Sequence, residues 1–337
     1  MIKRLRFHNF KALKNAEVNL GIFNVVVGPN GSGKSSLLQG LEFLSHPNWL
    51  QFPQILNVGA AKREVFVDAL CNPEGHPDSC RVVLAENQQH DLIPIHGTKV
   101  FTETIQNWRE LTEIRFSSIR VFSLEPSKMG QPVDAREVKE LTRNGGNLVG
   151  ALTHLRDKDE DAYDHLRAEL QRWLPEFDSI GFENDENGYR RLNLRQKATK
   201  KPIPASQLSE GTLLALALLT IIYQQNKPTV IGLEEPDRGL HPRLLRDVRD
   251  ALYRLSFPEQ FGLKRQPVQV VVTTHSPYFL DMFKDHPEQI IIAEKLTDGS
   301  ASFKSLADDQ ELREMIGDAP LGEVWYSGVL GGVPVTK

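Results

Sequence analysis

Residues 2–10 alternate basic and apolar side chains, and 21–27 end in an apolar, β-branched run; both predict strands. A Gly-rich loop, 28–36, then leads into a helix signalled by Leu37, Leu38, Leu41 and Leu44, which Pro47 ends. From about residue 46 to 125, short β-type runs at 65–70, 81–84 and 115–124 are broken by Gly and Pro. They predict an antiparallel sheet inserted into an α/β core. Over 134–175 the spacing turns helical, carried by Val138, Leu141, Leu148, Leu152, Leu155, Leu166, Leu170 and Trp173. A second β-type stretch, 179–194, precedes a basic loop.

From 208 onward the α/β rhythm returns: helix 212–225, strand 229–233, helix 242–255, strand 268–273, helix 277–284 and strand 289–293. Alternating strands and helices predict a mostly parallel, doubly wound sheet. The expected organisation is a core of residues 1–45 plus 205–300, an antiparallel β insertion over 46–130, a short helical and β lobe over 131–204, and a C-terminal tail over 300–337. No internal repeat, heptad array or low-complexity segment interrupts it.

Composition changes this picture little. With 337 residues, 40% hydrophobic and 25% charged, the chain reads as an ordinary globular protein of one large or two ordinary domains. A net charge of −4 gives no global basic field, so nucleic acid could be held only by a local patch. Cys71 and Cys80, separated by eight residues, suit neither a zinc knuckle nor a C-x-x-C pair and read as free thiols in a reducing compartment. Met1 leads straight into Lys3, Arg4 and Arg6 without a signal-peptide apolar segment, and the longest apolar run, 213–222, is too short to cross a bilayer. A cytoplasmic protein without a membrane partner is expected.

Chemistry enters with Gly28-Pro29-Asn30-Gly31-Ser32-Gly33-Lys34-Ser35, which satisfies G-x-x-x-x-G-K-[ST] between a strand and a helix. Its glycines let backbone N–H groups turn inward around phosphate oxygens. The helix dipole contributes about 0.3–2 kcal/mol, too little alone, so Lys34 supplies the main counter-charge to the β- and γ-phosphates. The Ser35 hydroxyl is placed to hold Mg²⁺. Asn30, Gly31, Ser32, Gly33, Lys34, Ser35 and Ser36 are the expected nucleotide-binding residues.

Three further motifs follow in order. Ser209-Glu210-Gly211 opens the apolar helix, where a hydroxyl, exposed N–H groups and the dipole make a second anion site; a plain helix cap is the alternative. The buried run 229–233 then ends in Glu234-Glu235-Pro236, so that one acid can reach a Mg²⁺ shell and the other can orient or deprotonate a water. Finally, the strand 270–274 runs into His275, which can hydrogen-bond a γ-phosphate or its attacking water.

This series resembles the P-loop NTPase head of ABC-type ATPases. The resemblance implies that Ser209 and Gly211, flanking Glu210, contact the γ-phosphate held by a partner subunit. It makes Glu235 the catalytic carboxylate, His275 the switch histidine, and 236–240 the loop that crosses the dimer interface. Asn9-Phe10-Lys11, Gly239-Leu240-His241-Pro242 and Thr273-Thr274-His275-Ser276-Pro277 are most similar to the SMC/RecF-like branch, and within it to the ATPase part of OLD-family proteins. That similarity covers about residues 1–45 and 205–295, and it adds Lys11 to the nucleotide-binding set. It also implies ATP and Mg²⁺ as cofactors, with Ser35 and Glu234 on the metal.

There are departures. Glu234 stands where Asp is usual, which implies a relaxed or water-mediated metal contact. The signature reads Leu-Ser-Glu-Gly-Thr, unlike most transporters. The glutamine that senses Mg²⁺ is one of Gln51, Gln54, Gln88, Gln89 and Gln106. The interval from Lys34 to Ser209 is too short for a long SMC coiled coil. About sixty residues follow His275, too few for a Toprim nuclease, and Asp157-Lys158-Asp159 reads as a solvated face.

Arg190, Arg191, Arg195, Lys197, Lys200 and Lys201 crowd into twelve residues. They read either as a phosphate-contacting patch for double-stranded DNA or as the charged rim of a β edge. The N-terminal Lys3, Arg4 and Arg6 offer a weaker patch. The expected protein is a head-to-tail homodimer closing over ATP, acting in DNA repair or antiphage defence with a separately encoded effector such as a nuclease. The alternatives are a regulatory ATP switch on a toxin or effector, and a transporter's nucleotide-binding subunit.

Overall fold

A computed structural model describes residues 1–46, 52–60, 64–71, 78–85, 91–96, 99–100, 118–134, 140–317 and 319–328. Of the sequence expectations, Pro47, Val138, residues 115–117 and Gln51, Gln88, Gln89 and Gln106 lie outside the described residues. Gln54 is in the short helix Phe52–Ile55 and is exposed. The chain divides into two units: residues 1–121, 228–234 and 256–337 form the first, and 122–227 with 235–255 form the second.

The first unit holds two six-stranded sheets. One is ordered β16-β15-β3-β14-β13-β8, with β3 (Phe23–Val27), β8 (Ile119–Phe122), β13 (Val230–Glu234), β14 (Gln269–Thr274), β15 (Ile290–Lys295) and β16 (Ala301–Ser305). Its central pairs β15–β3, β3–β14 and β14–β13 are parallel, while β16 joins the edge antiparallel. Every residue of β3 and β14 is buried, as expected for parallel strands covered on both faces.

The second sheet is antiparallel throughout and ordered β2-β1-β4-β5-β6-β7: β1 (Ile2–Phe10), β2 (Leu13–Asn19), β4 (Glu64–Cys71), β5 (Asp78–Ala85), β6 (Asp91–His96) and β7 (Lys99–Val100). The antiparallel strands expected within 46–130 are present as β4 to β7, and β4 pairs along β1, so they continue the N-terminal hairpin in one sheet. Cys71 ends β4 and is half-buried.

Helix α1 (Lys34–Ser45) lies between the sheets. A methyl at Gly40 would come within 2.3 Å of the Phe7 ring on β1, and a methyl at Gly232 on β13 within 3.1 Å of Leu38. Leu37, Leu41, Phe43 and Leu44 complete a core shared with Phe7, Phe10, Val65, Val67 and Val121. Burying each such side chain contributes about 1.5–3 kcal/mol.

Several strands were not anticipated, β2 and β16 among them. In β2, Lys14, Asn15 and Glu17 interrupt the apolar positions, and the register with β1 places Ala16 on Phe7. β16 returns from β15 through a turn at Asp298-Gly299, where Gly299 has φ 82°. Residues 300–337, read as a tail, thus carry β16 and the helices Gln310–Ile316 and Leu321–Tyr326, with Leu321 and Trp325 buried. The helix expected over 277–284 runs only Pro277–Asp281.

In the second unit, β10 (Phe177–Asn184), β11 (Tyr189–Gln196) and β12 (Pro202–Pro204) form an antiparallel sheet, with β9 (Val133–Asp134) beside β11. The helices are α2 (Leu148–Lys158), α3 (Glu160–Trp173), α4 (Glu210–Tyr223) and α5 (Pro242–Ser256). The Asp159 carboxylate accepts the Ala162 N–H, so Asp157-Lys158-Asp159 is a helix junction with one acid capping α3 and the other paired to Arg156. Among the described residues, no helix is long and apolar enough to cross a membrane.

Candidate functional site

The register of the parallel sheet assembles the first cluster. Glu234 on β13 pairs with Thr273 on β14, Thr273 with Val26 and Thr274 with Val27 on β3. The C-terminal ends of three adjacent strands therefore deliver Glu234, His275 and the loop from Gly28 to one rim, where open α/β sheets bind ligands. The Ser35 hydroxyl hydrogen-bonds the Glu234 carboxylate directly. These are hard oxygen donors of the type Mg²⁺ takes.

The loop itself is shaped for phosphate. A methyl at Gly28 would sit 2.2 Å from the Ala293 carbonyl oxygen, and one at Gly33, where φ is 91°, 2.8 Å from Leu13. Lys34 is 6% exposed, and its Nζ donates to the carbonyls of Gly28 (2.7 Å) and Pro29 (2.9 Å). Ser32 is fully buried and its hydroxyl has no hydrogen-bond partner. A buried ammonium, an unmatched hydroxyl and a Cβ-free cradle together fit a polyphosphate. Gly28→Ala is expected to destabilise the protein by about 1–3 kcal/mol through this overpacking, read as a lower urea midpoint.

Lys11 lies in the β1–β2 turn, two residues from Leu13, which packs on Gly33. Asn9 and Lys11 both take positive φ, 52° and 51°, and residues 55–57 grip them. The Lys11 N–H donates to Ile55 O at 2.6 Å, and the Asn57 N–H donates to Asn9 O at 2.8 Å. Beyond β14, the buried Thr274 hydroxyl accepts the Ser276 N–H, and Ser276 caps the helix Pro277–Asp281. This Thr ordering His275 was missed, although a polar pair ending an all-Val run was its signal.

The second unit carries the other motifs. Ser209 is the N-cap of α4: its hydroxyl accepts the Thr212 N–H at 3.1 Å and lies 2.8 Å from the Thr212 hydroxyl. Both sequence readings of Ser209, cap and anion site, are compatible with one hydroxyl at a helix start. Glu210 beside it is exposed. Gly211 touches the backbone of the loop 236–240, since a methyl there would lie 2.6 Å from Gly239 O. No local pattern in the chain signals this long-range approach.

Glu235 opens that loop with φ 45°, a left-handed conformation worth about 1–3 kcal/mol of strain in a non-Gly residue. An extended residue there would face away from its neighbour Glu234; the kink lifts that constraint. The turn closes through Arg238 N–H to Glu235 O and Leu240 N–H to Asp237 O.

Half of the basic cluster is matched by acids. Arg195 and Lys200 both reach Asp178 at 2.7 Å, and their hydrogen bonds hold its carboxyl down at about 2. Arg191 pairs with Asp185 at 3.4 Å, and Arg190 donates to Asn184. Lys197 and Lys201 lie on the exposed turn next to them.

Known proteins are similar to this chain along most of its length. The family model "AAA domain, putative AbiEii toxin, Type IV TA system" matches residues 71–281, and the model "AAA ATPase domain" matches 1–121. An OLD nuclease of Thermus scotoductus is 22% identical across 84% of this chain, which spans 60% of that relative's length. An ATP/GTP phosphatase of Helicobacter pylori is 21% identical over 92% of this chain and 94% of its own. Among solved structures, an SMC head bound to the C-winged helix domain of ScpA superposes with a TM-score of 0.65 at 16% identity, covering 91% of this chain and 99% of that one. That last likeness concerns the fold. With the first family model spanning well over half of its length, this chain belongs to that AAA-domain family, and it resembles the OLD nuclease in sequence and the SMC head in fold.

Proposed function

We propose that the chain hydrolyses ATP as a head-to-tail homodimer, each nucleotide lying between the Lys34 loop of one subunit and the Ser209–Gly211 motif of the other. The observation that supports this reading is the Ser35–Glu234 contact at the rim of the parallel sheet, two oxygen ligands of the kind Mg²⁺ takes next to the Lys34 loop. Residues 30–36 would wrap the phosphates and Lys11 would flank the nucleotide. Lys34 would exchange its two carbonyl partners for β- and γ-phosphate oxygens. Ser35 and Glu234 would hold Mg²⁺, which neutralises charge on the β- and γ-oxygens.

In the reaction, a water oxygen bonds to the γ-phosphorus as the bond to the β–γ bridging oxygen breaks, with its electron pair leaving on ADP. Glu235 takes the water's proton, and His275 donates a hydrogen bond to the γ-phosphate. The partner's Ser209 hydroxyl and Gly211 N–H add donors to the same phosphate.

The cycle is proposed to act on or sense double-stranded DNA, in repair or antiphage defence, with a separately encoded nuclease-like effector. The likeness to relatives named OLD nucleases supports this. A second reading is a regulatory ATP switch on a toxin. It is favoured by the family's description and by Asp178 and Asp185, which neutralise Arg195, Lys200 and Arg191.

One titration tests both. ATPase rate per subunit is expected to rise with protein concentration to a plateau, because only dimers complete the site. A flat profile across the micromolar range would end the sandwich reading. Duplex DNA is expected to stimulate the rate several-fold, with an effect that weakens steeply with salt. Indifference to DNA would leave the switch.

A further inference from the structure

Glu169 is 5% exposed, the most buried carboxylate among the described residues, and takes no part in the chemistry above. One oxygen, Oε1, accepts from Arg172 at 2.6 Å and from Arg254; the other, Oε2, accepts the Tyr223 hydroxyl at 2.5 Å. Arg172 reaches further to Asp247 on α5 at 3.8 Å. Burial, and next the hydrogen bond to Glu169, push the Tyr223 phenol up to about 12, so it remains a donor throughout the working pH range.

The partners are placed with consequence. Tyr223 is the last residue of α4, whose first turn carries Ser209 to Gly211, and Arg254 lies near the end of α5, which follows the loop 236–240. At their motif ends these two segments meet where Gly211 packs on Gly239. At their far ends, about 20 Å away by helix rise, they meet on one carboxylate. That carboxylate belongs to α3, the second arm of the helical hairpin that α2 and α3 form. The signature motif and the interface loop thus sit in a frame tied at both ends, with the far tie supplied by the hairpin.

We propose that Glu169 is a positioning residue for the composite site: by fixing the far ends of α4 and α5 to α3, it sets how Ser209, Gly211 and the loop 236–240 are presented to the partner subunit. The hairpin then becomes the lever through which anything bound to it alters ATP-driven closure. This rests on the sandwich reading of the preceding subsection.

The test adds Glu169→Gln or the milder Tyr223→Phe, which keeps both arginines paired, to the hydrolysis-deficient Glu235→Gln protein. Two constants are measured: nucleotide affinity of the dilute monomer by a fluorescent ATP analogue, and ATP-dependent self-association by sedimentation. Nucleotide affinity is expected to stay within twofold. Self-association is expected to weaken roughly tenfold for Glu169→Gln, and less for Tyr223→Phe, as charged and neutral hydrogen bonds are lost. Unchanged self-association in both variants, or a parallel fall in both constants, overturns the positioning role. If the Glu235→Gln parent itself never associates, the sandwich reading falls first and takes this one with it.

Discussion

Glu235→Gln is expected to lower ATP turnover by about 10²–10⁴-fold while leaving the nucleotide bound and the dimer closed. Glutamine keeps the size of the side chain and both hydrogen-bonding positions, so water is still oriented, but it cannot accept the proton as the new bond to phosphorus forms. The left-handed backbone at this residue is held by the turn through Arg238, independent of the carboxylate. Ground-state binding should therefore survive and the hydrolytic exit should not. Size-exclusion chromatography with ATP and Mg²⁺ should show a dimer that the unaltered protein populates only transiently. A monomeric elution at saturating ATP contradicts the assignment, as does turnover within tenfold of the unaltered protein.

Lys34→Ala acts at the opposite stage. Its ammonium is nearly buried, held by two carbonyls of the loop it serves, and no other cation among the phosphate-loop residues 28–36 replaces it. Removing one member of a buried charge interaction costs about 2–5 kcal/mol, so ATP affinity should fall by at least roughly 30-fold. The change also leaves the Gly28 and Pro29 carbonyls without that donor. Calorimetric titration with ATP checks the affinity, and the thermal shift that ATP gives the unaltered protein should vanish. Affinity within threefold would mean that the counter-charge lies elsewhere.

How far the sequence foretold this site depends on the range of each interaction. The phosphate loop and the Glu234-Glu235 pair are local: a buried β-branched run announces the strand, and the next residues are its exposed end. β3, β13 and β14 were legible for the same reason, since parallel strands buried on both faces read as nearly continuous apolar runs. β2 was not, because Lys14, Asn15 and Glu17 are side chains that a half-solvated hairpin tolerates only through its partner. β16 carries one local signal, the Asp298-Gly299 turn, but its strand is only five residues long.

Long-range polar pairing was illegible. Glu169 sits between Ala168 and Leu170 in a helix rich in charge, and its partners Tyr223 and Arg254 lie 54 and 85 residues away. The cation cluster over 190–201 looked like a single-sign patch because Asp178, which accepts Arg195 and Lys200, lies upstream of it. A pattern read along the chain registers the charge of a segment, and the neutralising partner is decided by the sheet.

The placement of α1 between two sheets bears on how this ATPase can be divided or recombined. Phe7 of the antiparallel sheet fills the space at Gly40, and Leu38 fills that at Gly232 of the parallel one. The helix that begins at Lys34 therefore owes its position to both layers at once. A fragment trimmed to the sequence motifs would lose one wall of the slot in which that helix rests. Modularity, in this protein, ends at the motif and does not extend to the strands around it.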